Sequence, residues 1–114
     1  KNLLHQMLNQ QIEVGSERGF GPGRDRFNDK YKDVKLSWGL GLGLFQTSYG
    51  KSFFHSGHSD GWQNYFVAYP EKKIAVILMS NSDNFERAAD KILDASIRGD
   101  KQPLEWLGYF DRQK

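Results

Sequence analysis

The sequence has 114 residues, with 16 Lys and Arg against 14 Asp and Glu for a formal charge of +2, a balance that gives no electrostatic footprint for nucleic acid or an anionic membrane surface. Hydrophobic residues make up 38% and aromatics 14%, enough to build one core and to exclude wholesale disorder. The lack of cysteine excludes disulfides, thiolate nucleophiles and Cys-based zinc sites, and no apolar run approaches the roughly 18 residues of a membrane span.

Leu3, Leu4, Met7, Leu8 and Ile12 share one face at a 3.6-residue period, which predicts an amphipathic helix over residues 1–14, stopped by Gly15. The sequence opens with Lys1 already inside this pattern, so a processed or excised piece of a longer protein is expected. Glycines, Pro22 and dense mixed charge make residues 19–35 a solvated surface loop.

From Leu36 the period becomes two. Trp38, Leu40, Leu42 and Leu44 alternate with Gly39, Gly41 and Gly43, a strand with one bulky face and one bare face against which something should pack closely. Turns at residues 47–50, at Ser59-Asp60-Gly61 and at Pro70-Glu71-Lys72 separate further strands over residues 51–55, 62–69 and 73–80, giving an antiparallel meander of about four strands across residues 36–80. Phe66 and Ala68 oppose Tyr65 and Val67, and Ile74, Val76 and Leu78 oppose Ala75, Ile77 and Met79, so both sheet faces should be covered. A helix over residues 84–98, with Asp83 and Glu86 at capping spacing, and a short helical tail over 103–110 would cover one face together with the amino-terminal helix. The other face has no cover in this sequence, so an absent domain or a partner chain is expected there.

The densest polar cluster is His55-Ser56-Gly57-His58-Ser59-Asp60-Gly61. From composition alone, a hairpin whose polar side chains cap backbone groups accounts for it, and a ligand site at a strand end is the other reading. No metal is expected: His55 and His58 point apart on a strand, no third ligand has suitable spacing, and His5 is a boundary residue of the first helix. A Ser-His-Asp triad built from these neighbours would lack the convergence across a fold that such chemistry requires. The Gly39 to Gly43 repeat lacks the spacing and following helix of a phosphate loop.

In order, Trp38-Gly39-Leu40-Gly41-Leu42, His55-Ser56-Gly57 with Gly61, Pro70, and Val76-Ile77-Leu78-Met79-Ser80-Asn81 resemble the carboxy-terminal portion of the serine β-lactamase-like superfamily. That group includes class C β-lactamases, penicillin-binding D-alanyl-D-alanine peptidases, D-aminopeptidases and esterases. The resemblance implies an α/β fold in which the whole sequence, residues 1–114, is the carboxy-terminal part of one β-lactamase-like domain. His55 then matches the basic position of a Lys-Thr-Gly-type strand, Ser56 the hydroxyl that binds a substrate carboxylate, Gly57 the bare position that admits substrate, and His58 the residue whose backbone N–H forms half of the oxyanion hole.

The family's Ser-x-x-Lys nucleophile pair and Tyr-x-Asn or Ser-x-Asn element should precede that strand. Ser48-Tyr49-Gly50-Lys51 lies between adjacent strands, and Ser82-Asp83-Asn84 follows the His-Ser-Gly strand, so both are chance matches of letters. The resemblance therefore implies a nucleophile, and a helical domain over the second sheet face, in a preceding portion of the protein. It implies a β-lactam, D-amino-acid peptide or ester substrate, no cofactor, and a bacterial periplasmic or cell-surface location, with this portion inactive alone. The competing expectation is a non-catalytic binding module, or one that self-associates through the uncovered face.

Overall fold

The computed structural model describes residues 2–100 and 102–109. Six strands, β1 (Ile12–Glu13), β2 (Ser37–Trp38), β3 (Gly43–Thr47), β4 (Gly50–Ser59), β5 (Trp62–Tyr69) and β6 (Ile74–Ser80), form one antiparallel sheet in chain order. Two helices accompany it, α1 (Asn2–Met7) and α2 (Glu86–Ser96). The expected meander is present, with six strands in place of about four.

Both extra strands come from segments read otherwise. The predicted 1–14 helix ends at Met7; beyond it, Ile12 pairs with Trp38 and Glu13 with Ser37. Tertiary pairing here overrides local periodicity, because a short isolated helix has little intrinsic stability. The Leu-Gly repeat is a hairpin instead of one strand: the chain reverses between Trp38 and Gly43, which pair, with Gly41 at φ 77° in the turn. The expected close approaches do occur at two glycines. A Cβ on Gly39 would lie 2.0 Å from the Met7 carbonyl oxygen, and one on Gly43 would lie 2.4 Å from the Phe54 ring.

Strand alternation divides the side chains of the central sheet into two sets. Phe54, Tyr65, Val67, Tyr69 and Leu78 are buried on one face, against Phe85, Ala89, Leu93 and Ile97 from the α2 region and Leu104, Trp106, Leu107 and Tyr109 from the tail. The tail, a series of turns over residues 103–109, also fastens the segment that leads into the 19–35 loop: Gly19 N–H donates to the Trp106 carbonyl, and Trp106 Nε1 donates to Ser16 Oγ at 3.2 Å. Phe110, the last residue of the expected tail, lies outside the described residues, as does Lys1. Contrary to expectation, α1 does not join the helical layer: none of its residues is buried, and Leu3 and Leu4 are exposed.

The opposite face carries Phe53 and His55 on β4, Trp62, Asn64 and Phe66 on β5, and Ile77 and Met79 on β6. Ile77 is 71% and Met79 78% exposed, so the apolar content predicted for this face is present without a cover among the described residues.

Candidate functional site

The strand β4 is longer than its neighbour β3. Their ladder runs from Thr47 opposite Gly50 to Gly43 opposite Phe54 and stops there, whereas β5 pairs with β4 through Ser59. Residues 55–59 therefore have a ladder partner on one side only, among the described residues. Because backbone groups of a strand point alternately to its two edges, this segment presents unpaired N–H and C=O groups at an open edge inside the sheet.

All four sequence-selected residues lie on that segment, but their side chains diverge. His55 is exposed on the uncovered face, with its ring edge-on to Trp38 at 6.4 Å between centroids. Ser56 projects to the covered face, toward the Tyr109 phenol. Gly57 returns to the uncovered face, and His58 projects again to the covered one. One residue of offset in a strand reverses the side chain, so His55 and Gly57 share a face that Ser56 and His58 do not.

Gly57 has no internal reason to be glycine. Its φ is not positive, and a Cβ there would meet only Trp62 Cζ3 at 4.0 Å. Over it lies a shallow cleft of about 350 Å³ lined by His55, Gly57, Trp62, Phe66, Ile77 and Met79, among others. The cleft is apolar apart from the His55 imidazole, the Ser56 segment and the Asn64 amide.

On the covered side, burial raises the pKa of the Tyr109 phenol to about 12; the Glu86 carboxylate adds to the rise, and the nearby Ser56 hydroxyl opposes it. His58 stands half exposed beside two carboxylates, with Nε2 3.5 Å from Asp83 Oδ1 and Nδ1 3.7 Å from Glu86 Oε1. The two oxygens approach opposite ring nitrogens, an arrangement that brackets the imidazole and does not converge on one point. Among the described residues no group of three or more His, Cys, Asp or Glu has the arrangement of a metal site.

Asp83 and Glu86 do not form the expected capping pair. The residue preceding α2, Phe85, makes no side-chain cap bond. Asp83 Oδ1 instead accepts the Gly61 N–H at 2.9 Å, and Glu86 meets Gln63. The two chance motifs also stand outside any helix start: Ser48 and Tyr49 form the β3–β4 turn, and Ser82 Oγ accepts the Asn84 N–H in the turn before α2. Gln63 is the residue that sequence reasoning missed. Its signal was a polar side chain in the buried register of β5, in line with Tyr65, Val67 and Tyr69.

No helix among the described residues is long and apolar enough to cross a membrane. No curated protein and no solved structure matches the sequence. A family profile described as Beta-lactamase matches residues 8–98, a span that takes in the whole sheet and the open-edged strand as well as α2. With most of its length inside that match, and with the His-Ser-Gly strand at an open sheet edge, the chain belongs to the Beta-lactamase family.

Proposed function

We propose that this chain is the carboxy-terminal part of a serine hydrolase and forms one wall of its acyl-transfer site. The observation that carries the reading is Gly57, a glycine without conformational or internal packing cause, in an open-edged strand beneath a cleft. A bare position at an open edge lets a substrate backbone lie along the strand and bond its free groups.

In this reading a serine from residues outside the chain attacks the substrate carbonyl. The His58 N–H bonds the oxygen as negative charge develops on it, the leaving group departs with a proton, and water then hydrolyses the acyl-enzyme. His55 contributes an imidazole on the same face as Gly57, as proton donor or as a positive charge for the substrate. Ser56 binds a substrate carboxylate by turning its hydroxyl from Tyr109 toward the open edge. Substrates are β-lactams, D-amino-acid peptides or esters, and the exposed Trp62, Ile77 and Met79 pack beneath a helical domain that carries the nucleophile. A bacterial periplasmic or cell-surface location accompanies this reading.

The test is covalent labelling followed by intact mass. The full-length protein treated with a fluorescent penicillin and with an activated ester should gain the acyl mass on one serine, while residues 1–114 alone should gain none. Absence of a label on the full-length protein with both probes would contradict the reading.

The exposure of Ile77 and Met79 also favours a second reading, a self-association module of the same fold that uses this face without catalysis. Concentration-dependent mass in solution, combined with no labelling of the full-length protein, would select it.

A further inference from the structure

The buried amide of Gln63 is the most connected side chain near the site. It is 1% exposed. Its Oε1 accepts the N–H of Glu86, the first residue of α2, at 3.1 Å, and its Nε2 donates to the Asp83 carbonyl at 3.0 Å and to Glu86 Oε1 at 3.1 Å. The first turn of a helix has N–H groups without intrahelical partners, which a capping side chain normally satisfies from the preceding residue. Here the acceptor comes from a strand 23 residues earlier.

Three connections run from this cap to the β4–β5 hairpin. Gln63 is the register partner of His58. Its Nε2, with both hydrogens directed at Asp83 and Glu86, lies 3.3 and 3.4 Å from the His58 ring nitrogens. Asp83, held through its carbonyl by Gln63, closes on the hairpin tip through the Gly61 N–H. The free end of β4, unpaired on its β3 side, is thus fixed from the other side by the amino end of α2.

We propose that Gln63 is a positioning residue that holds the β4–β5 hairpin, and with it the His58 backbone N–H, at a set place through the amino end of α2. Its catalytic meaning rests on the reading of that N–H as an oxyanion donor; its structural content does not. Of two hydrogen-bonding groups that face each other, exchanging amide and carboxylate preserves most of the contact. In Q63E/E86Q the carboxylate at 63 still accepts the N–H of residue 86 and faces the amide at 86, while its second oxygen meets the Asp83 carbonyl oxygen in place of a donor and the carboxylate beside His58 is gone.

The test uses the full-length protein as wild type, Q63M, which keeps size and removes the polar bonds, and Q63E/E86Q. Amide hydrogen exchange compares residues 58–61 with Val67 and Val76, and acylation by the fluorescent penicillin gives a maximal rate and an affinity. In Q63M, exchange at 58–61 should rise about tenfold more than at Val67 and Val76, the loss of one net hydrogen bond's worth of local order. Its maximal acylation rate should fall about tenfold at unchanged affinity, with both effects partly restored in Q63E/E86Q. Hairpin amides that move only in step with the core, or a double variant no better than Q63M, would overturn the proposal. D83A, which cuts the outer bond at an exposed side chain, should raise exchange at Gly61 and decides the matter if Q63M does not fold; an unchanged Gly61 would count against the clasp. A wild type that is not acylated contradicts the hydrolase reading, and the exchange comparison then still decides the role of Gln63.

Discussion

Gly43 stands opposite Phe54 in the β3–β4 register, and the Phe54 ring occupies the space that a Cβ on Gly43 would need, 2.4 Å from that position. The ring is buried, with Phe45, Trp38 and Tyr65 around it at centroid distances of 5.7 to 6.1 Å. Gly43→Ala should therefore overpack the core and cost about 1–3 kcal/mol of stability, read as a lower urea midpoint at unchanged slope. An unaltered midpoint would show that the ring can move aside.

A second buried network links the sheet to the segment after α2. Tyr69 donates its hydroxyl to Asp100, Gln102 Nε2 bonds Asp100 Oδ2 at 2.7 Å, and Tyr65 donates to Gln102 Oε1 at 2.9 Å. Tyr69→Phe should leave the Asp100 oxygen and the Gln102 amide short of a partner in a buried setting and cost roughly 1–3 kcal/mol, measured by denaturant unfolding. A neutral result would mean that water replaces the phenol.

Alkaline stability follows from three phenols. Burial raises the pKa of Tyr65, of Tyr69 and of Tyr109, in the last case to about 12. Each is harder to ionise in the folded chain than in the unfolded one, so the stability it contributes is whole below the unfolded value near 10 and is lost as pH rises toward the folded values. Unfolding midpoints should stay level to about pH 9 and fall between pH 10 and 12. Tyr109→Phe should flatten part of that fall, and a profile unchanged by the substitution would contradict the assignment.

The uncovered face predicts a solution property of residues 1–114 taken alone. With Ile77 and Met79 exposed on a sheet face rich in aromatics, the weight-average mass should rise with concentration, and I77E/M79E should return the chain to a monomer at similar stability. A wild-type chain that is strictly monomeric at millimolar concentration would show that this face needs no cover.

The sequence made the meander, its turns, α2 and the two-faced apolar pattern legible because each depends on local chemistry: period-two alternation, the Asp60-Gly61 and Pro70 turns, and the apolar stripe from Phe85 to Ile97. What it hid depends on contacts made at a distance. Ile12 fits a helical stripe as well as a strand, and only its pairing with Trp38 decides between them. The Leu-Gly repeat fits one strand until Gly41 takes a positive φ and folds it into two. Asp83 and Glu86 have the spacing of a cap, yet they are engaged by Gly61 and Gln63, more than twenty residues away. The segment proposed as the site was chosen from its letters; the opposite directions of His55 and Ser56 follow from strand alternation, but the placing of Tyr109 near Ser56 does not.

The central claim, that Gly57 is bare to admit a substrate, is tested most directly by Gly57→Val, with thermal unfolding and acylation measured on the same full-length protein. Valine suits a strand better than glycine by up to about 1 kcal/mol, and a Cβ at this position meets nothing nearer than 4.0 Å. The account predicts an unchanged or slightly raised unfolding temperature together with an acylation rate lowered about a hundredfold or more, as expected when a side chain displaces the reacting group by an ångström. Acylation at the wild-type rate, or a fold that fails without any effect on labelling by the folded fraction, would contradict it.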